Sequence, residues 1–312
     1  MVPSNSGSIR LFRFSGVDVF LHWSWFLAAF YFLGGGDLSG ERLAWSIAAY
    51  ITLFVIVLIH EFGHALAARQ VGGESERIIL WPFGGIAFAK VPPRPGAELW
   101  AVAAGPLVNV VLYPILYWIV ALAESNGLYR TSPAFYGYLA SIFTLNKWLL
   151  IFNLLPIFPL DGGQMLRSLL WFKLGRAQSL HVATIIGFIG VGGLVVRAVI
   201  NQSLFSGLIA LFLASECWRS YKHAQFLKQL AAMPRHPAVA CPSCHESPPG
   251  GPLYVCGSCG NPFDPFSTHA ICPHCNTMQL AIPCVHCSTV SPSERWGVKP
   301  RPRSGDEPVI EI

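Results

Sequence analysis

Residues 60–64 read HEFGH, a spacing that can hold a metal ion. On a helix His60 and His64 stand one turn apart on the same face, so both imidazoles can reach one ion. Glu61 follows the first histidine directly. In sites of this spacing the glutamate leaves the metal to its neighbours and takes a proton from the water that attacks a carbonyl. A catalytic zinc keeps three protein ligands and one open position, so a third donor must come from elsewhere in the chain.

A second ligand pattern lies toward the other end. Cys241/Cys244, Cys256/Cys259, Cys272/Cys275 and Cys284/Cys287 are four CxxC knuckles, and they hold eight of the nine cysteines. Two knuckles make a closed, tetrahedral, structural zinc site. The gap of 11 residues between the first two knuckles and of 8 between the last two suits short hairpins, so two ribbons paired in sequence order are the first expectation, with a crossed pairing as the alternative. With few Lys or Arg among the knuckles, nucleic acid is disfavoured as a partner and a cytosolic protein favoured. The segment is too small and polar for much core, so zinc must supply folding energy.

HEFGH sits in a run otherwise fit for lipid, and that fixes what positions it. Hydrophobic residues make up 53% of the 312 and charged ones 12%, against roughly 25% charged in an ordinary soluble domain. An ordinary soluble enzyme is excluded. Windows of about 20 apolar residues fall near 18–35, 44–66, 99–123, 134–158, 179–200 and 203–221, which gives six expected spans. The first residues lack the apolar core and cleavage site of a secretory signal, so the first span is expected to remain as an anchor. Arg10, Arg13, Arg69, Arg77, Lys90, Arg94, Arg167, Lys173, Arg176, Arg219, Lys222, Lys228 and Arg235 fall on one side of this arrangement, against Arg42, Arg130 and Arg197 on the other. Positive charge is retained in the cytoplasm, so both termini are expected there. The reducing cytosol also favours thiolate ligands over disulfides.

Within such a helix an ionisable side chain costs about 2.5–3.5 kcal/mol or more and marks function. The acids near membrane depth are Glu98, Glu124, Asp161 and Glu216. Glu124 falls on the far side from His64, which leaves Glu98, Asp161 and Glu216 as third-ligand candidates. Glu98 also reads as an interfacial residue and Glu216 as a partner for Arg219. Asp161 has the most telling setting, NLLPIFPLDGG at 153–163. Pro156 and Pro159 break a continuous helix, and broken backbone at this depth is tolerated where it lines a watery cavity. Gly162 and Gly163 then allow a sharp turn into the next helix.

Between the second and third spans, RIILWPFGGIAFAK alternates around Gly84 and Gly85 as a hairpin does. Its edge could receive an extended substrate by strand addition. AGPLVN at 104–109 reads as close helix packing with an interhelical hydrogen bond from Asn109. Lys147 interrupts the fourth span. His22, His181 and Cys217 each stand apart from any cluster and read as packing or interfacial residues.

HEFGH in a membrane helix, the Gly-Gly hairpin, AGPLVN and NLLPIFPLDGG, in this order, resemble the site-2 protease family of intramembrane zinc metalloproteases. GVDVFLHWSW at 16–25 is similar to that family's first span, and the likeness covers roughly residues 10–225. The resemblance implies that His60, His64 and Asp161 hold the zinc, that Glu61 is the general base and later proton donor, and that the substrate is a membrane-spanning helix cleaved near the cytoplasmic leaflet. Asn153 matches the asparagine that begins the family's second motif, which implies a hydrogen bond to substrate or to the developing oxyanion. Many relatives carry a different regulatory domain in place of the cysteine module.

The expected architecture is therefore an all-α polytopic membrane protein with a small β-hairpin near the active site and a C-terminal cytosolic zinc-ribbon domain. Its divisions are a protease domain over 1–230, a linker over 231–239, a double zinc ribbon over 240–288 and a disordered tail over 289–312. The rival classes are a non-proteolytic, membrane-anchored zinc-ribbon adaptor and a metal transporter. An adaptor has no need of Glu61, and a transporter leaves the hairpin and NLLPIFPLDGG unexplained.

Overall fold

The computed structural model describes residues 7–34, 40–81, 84–287 and 289–297, and the chain divides into two compact units, Met1–Ala224 and Gln225–Ile312. In the first unit, β1 (Ser8–Phe14) turns through Ser15 and Gly16 into β2 (Val17–His22). Both turn residues have positive φ, 49° and 77°, which gives the tight turn whose twist suits a hairpin. Helices α1 (Ser24–Gly34) and α2 (Gly40–Gln70) follow, then the antiparallel pair β3 (Glu74–Trp81) and β4 (Gly84–Lys90). The hairpin is thus where the sequence put it, with residues 82 and 83 outside those described.

The sheet is larger than a hairpin. Its order is β1-β2-β3-β4, with β2 and β3 parallel, Val19 opposite Ile78 and Leu21 opposite Leu80. Parallel neighbours need a crossover connection, and α1 and α2 form it. This corrects the expected first span: residues 18–22 are strand, and the helix begins at Ser24. A short apolar run carries no period that separates strand from buried helix. Here Val17 and Val19 point to one face, where they pack with Ile78 and Leu80 against Val57, Phe62 and Ala65 of α2. At the end of α2 the Arg69 guanidinium donates to the carbonyls of Ser15 and Ser75, tying the sheet to the helix.

The remaining helices are α3 (Pro95–Ser125), α4 (Leu128–Thr131), α5 (Pro133–Leu154), α6 (Asp161–Ile200, interrupted at Gly175) and α7 (Leu204–Ala232). Among the described residues four helices, α2, α3, α5 and α6, are long and apolar enough to cross a membrane. The described part of α1 has 11 residues, and α7 carries Glu216, Arg219 and Lys222 in its middle. The six expected spans are thus four by this measure.

In the second unit the knuckles cap short hairpins. Residues 256–259 lie between β5 (Tyr254–Val255) and β6 (Pro262–Phe263), and 284–287 between β7 (Ala281–Pro283) and β8 (Val290–Pro292). Residues 272–275 lie inside the Ile271–Met278 bridge. The sulfurs gather as Cys241, Cys244, Cys284 and Cys287 in one cluster and Cys256, Cys259, Cys272 and Cys275 in the other. The pairing is therefore nested, which corrects the sequence-order pairing. The 12-residue gap between the middle knuckles serves as well as the gaps of 11 and 8, and each knuckle is locally alike, so gap length does not choose partners. Packing does: Tyr254, Ile282 and Trp296 surround the outer cluster, while Phe263 packs the inner one.

Part of the segment expected as a disordered tail from residue 289 is ordered. Val290–Pro292 pairs with β7, and the 3₁₀ turn Ser293–Trp296 buries Trp296 in the outer core. The rest of that segment, 298–312, lies outside the described residues.

Candidate active site

His60 and His64 lie on α2 about 15 Å and 9 Å from its C-terminal end, at 1.5 Å per residue, and Asp161 opens α6 after the broken segment 155–160. Three donor atoms converge. His60 Nε2 is 3.1 Å from His64 Nε2 and 3.1 Å from Asp161 Oδ2, and His64 Nε2 is 3.5 Å from that same oxygen. Two ligands each ~2.1 Å from a shared tetrahedral ion stand ~3.4 Å apart, so the triangle has the dimensions a zinc ion requires. Glu98 and Glu216, the other third-ligand candidates, are engaged elsewhere, Glu98 with Arg167 at 3.1 Å and Glu216 with Arg219.

The outer nitrogens of both rings are anchored. His64 Nδ1–H donates to the Ala101 carbonyl at 2.9 Å, and His60 Nδ1–H donates to Asn109 Oδ1 at 2.5 Å. A backbone carbonyl only accepts, so the His64 proton resides on Nδ1 and the Nε2 lone pair faces the triangle. Such partners orient metal-binding imidazoles and raise their basicity. Both come from α3, as does a third contribution. A Cβ on Gly105 would fall 2.2 Å from His64 Nε2 and 2.8 Å from His60 Nε2, so any side chain there would occupy the site.

Glu61 is 4% exposed and His60 3%. A carboxylate oxygen of Glu61 lies within 4.8 Å of the histidine donors, so a buried carboxyl group stands beside the triangle. Asn153 sits half-buried on the last turn of α5; among the described residues it makes no hydrogen bond to His60, His64 or Asp161. Gly162 and Gly163 serve by close approach. A Cβ on either would fall 2.3 Å from the Leu154 carbonyl oxygen or 2.5 Å from the Phe158 nitrogen, so the glycines let α6 start tight against the broken segment. Cys217 backs that segment from α7, its thiol donating to the Phe158 carbonyl at 2.8 Å.

The other singled-out residues lie apart. His22 stacks on Trp81 with ring centroids 3.7 Å apart, His181 lies beside Tyr221, and Lys147 lies 5.8 Å from the Phe143 ring centre. Sequence reasoning missed the roles of Asn109 and Gly105 at the metal site, reading both as packing.

In the second unit the sulfur pairs Cys241–Cys287, Cys244–Cys284, Cys256–Cys275 and Cys259–Cys272 are 3.8, 3.7, 3.6 and 3.7 Å apart. Thiolates ~2.3 Å from a tetrahedral zinc lie ~3.8 Å from each other, so both clusters fit one ion. Hydrogen bonding by Thr277 pulls the Cys275 thiol down to about 6, favouring the ligating thiolate.

Fold and site together define a class, a membrane-embedded HExxH centre closed by an aspartate from a later helix. The profile of peptidase family M50 matches residues 48–135 and 129–196, which hold all four residues of the centre and end before the cysteines. A zinc metalloprotease of Methanocaldococcus jannaschii is 35% identical over 180 residues, 58% of this chain and 50% of that one. A putative zinc metalloprotease of Synechocystis sp. is 30% identical over 256 residues, 75% of this chain and 65% of that one. The solved site-2 protease from M. jannaschii matches with a TM-score of 0.52 at 28% identity, over 69% of this chain and 95% of that one. The chain thus spans about half to two thirds of the length of those two curated relatives. It belongs to the site-2 protease family of membrane zinc metalloproteases.

Proposed function

We propose that the chain is an intramembrane zinc metalloprotease that hydrolyses a peptide bond in or near the transmembrane segment of membrane-protein substrates, as in regulated intramembrane proteolysis. The observation that carries this is the triangle of His60 Nε2, His64 Nε2 and Asp161 Oδ2, with edges of 3.1–3.5 Å and the Glu61 carboxylate beside it. His60, His64 and Asp161 would hold one zinc, and the two cysteine clusters would hold two more. Zinc, when bound at the triangle, supplies Lewis acidity that polarises the scissile carbonyl and acidifies water.

The chain's own residues do the rest. Glu61 accepts the proton of the attacking water and returns it to the departing amine. Asn153, whose amide makes no hydrogen bond among the described residues, donates to the oxygen on which charge develops. A substrate must present extended backbone, and β4 is an outer strand of the sheet whose free edge can pair with it.

The sheet also bears on topology. Because β2 and β3 are neighbours, the chain leaves the sheet at His22 and returns at Glu74. α7 likewise returns to the broken segment, its Cys217 meeting Phe158. The reading is six crossings, with both termini on the side that carries Arg69, Arg77, Lys90 and Arg94, the cytoplasm by the distribution of positive charge. Membrane lipid surrounds the helices, and the ribbons meet a cytosolic protein rather than nucleic acid.

The test is to co-express tagged single-span membrane proteins with the chain or its Glu61→Gln form. A cleaved fragment should appear with the first and fall at least about 1000-fold with the second. Equal fragments from both overturn the reading. No fragment from either, with two zinc ions per chain instead of three, would favour the adaptor.

A further inference from the structure

Among the described residues Asn109 and Asn146 are the two fully buried asparagines of the helical unit, both at 0% exposure. They meet across α3 and α5. Asn146 Nδ2 donates to the backbone carbonyl of Asn109 at 3.1 Å, and Asn109 Nδ2 donates to Asn146 Oδ1 at 2.8 Å. The first bond sets the direction of the whole chain of groups. A backbone carbonyl offers no proton, so the Asn146 amide must turn its nitrogen to it and its oxygen to the Asn109 side chain. Asn109 must then present its nitrogen to Asn146, which leaves its oxygen for His60 Nδ1 at 2.5 Å. Only one pattern of donors satisfies all three bonds. In it the His60 proton is on Nδ1, and the Nε2 lone pair points at Asp161 and His64.

We propose that Asn146 is a positioning residue for the metal centre, holding His60 in its Nδ1–H tautomer through the side-chain amide of Asn109. Without Asn146, nothing fixes which end of the Asn109 amide faces the imidazole. A flipped amide would offer N–H to Nδ1, which must then accept. The ring proton would move to Nε2, where it occupies the lone pair a metal needs. α5 thus contributes twice to the site, through this bond and through the chain leading from its end to Asp161. The inference rests on the reading of His60, His64 and Asp161 as metal ligands.

The test uses the full chain in detergent and measures, by competition with a chromogenic chelator, the affinity for the one zinc that His60→Ala lacks. Asn146→Leu should weaken it about 10- to 100-fold, the usual effect of losing an orienting partner. The deciding variant is the double Asn109→Asp/Asn146→Leu. A carboxylate presents an acceptor to His60 Nδ1–H whichever way it turns, so the double should recover most of what Asn146→Leu loses. A purely structural role for Asn146 predicts no such recovery. The proposal is overturned if Asn146→Leu stays within about two-fold of the unaltered chain, or if the double binds no more tightly than Asn146→Leu. Should the unaltered chain hold no His60-dependent zinc, the metal-site reading itself fails, a result distinct from either.

Discussion

The metal centre of the helical unit and the sulfur clusters of the second unit are built by opposite means. In the first, ligands at 60, 64 and 161 are brought together by helices that pack through their own apolar faces, and α3 supplies a carbonyl, an amide oxygen and a gap at Gly105 to shape the site. Eight cysteines in the second fall between residues 241 and 287, in turns outside strands of only two or three residues. Long helices form a scaffold that exists before any ion arrives; the short hairpins have small cores in which the ligating cysteines are themselves members. The difference teaches that, under the proposed function, metal would serve as reagent in one region and as fold in the other.

The comparison breaks if removing zinc treats both regions alike. Exhaustive chelation should unfold the second unit, since structural zinc supplies apparent binding energies of about 10–16 kcal/mol in modules of this size. The protection of α2, α3, α5 and α6 should persist. Hydrogen exchange followed by mass spectrometry reads both on one sample, and loss of protection in α2 would show that its ligands are also scaffold.

Cys284→Ser sharpens the pairing. It should raise alkylation of Cys241 and Cys244 by more than about 100-fold while leaving Cys256, Cys259, Cys272 and Cys275 protected. Exposure of Cys272 and Cys275 instead would restore the sequence-order pairing. In the helical unit Gly105→Ala should lower affinity for the His60-dependent zinc by at least about 100-fold, or 2.7 kcal/mol, with circular dichroism unchanged. Normal zinc binding by that variant would mean that the imidazoles have room to move aside.

The smallest effect concerns Asp264, which accepts from the N–H groups of Gly251 and Phe266, the Ser267 hydroxyl and His236. Its burial favours the neutral acid, but these bonds outweigh it and hold the carboxyl below its ordinary 3.8. A depressed carboxylate stabilises the fold above its unfolded pKa, and that contribution fades as pH falls through the folded value. Asp264→Asn should therefore cost about 1–2 kcal/mol at pH 7. The gap from the unaltered chain should close toward pH 3, as read by exchange of peptides spanning 249–268. A gap independent of pH would assign the cost to shape alone.

Both kinds of ligand were legible because each is written locally. HEFGH needs only a helix turn, and CxxC only a knuckle. Asp161 could be singled out because Pro156, Pro159, Gly162 and Gly163 mark a break that a plain span does not need. What was hidden is what depends on partners distant in the chain. Asn109 reads as helix packing until His60 lies 2.5 Å away, and Gly105 reads as a small residue until two imidazoles cover it. β2 escaped notice because a strand buried against an apolar helix has the hydropathy of a short span, and only pairing with β3 reveals it. The nested order of the cysteines was illegible for a simpler reason, since four similar knuckles carry no label saying which should meet.

That nesting dictates an order of assembly as the chain emerges from the ribosome. The inner cluster is complete once Cys275 has been made, closing 256 through 275. The first knuckle, Cys241 and Cys244, must wait for Cys284 and Cys287, and until then it is a pair of unshielded thiols. A chain cut short anywhere between 276 and 283 would carry one finished ribbon and one half-built site, open to oxidation and to a borrowed ligand from another molecule.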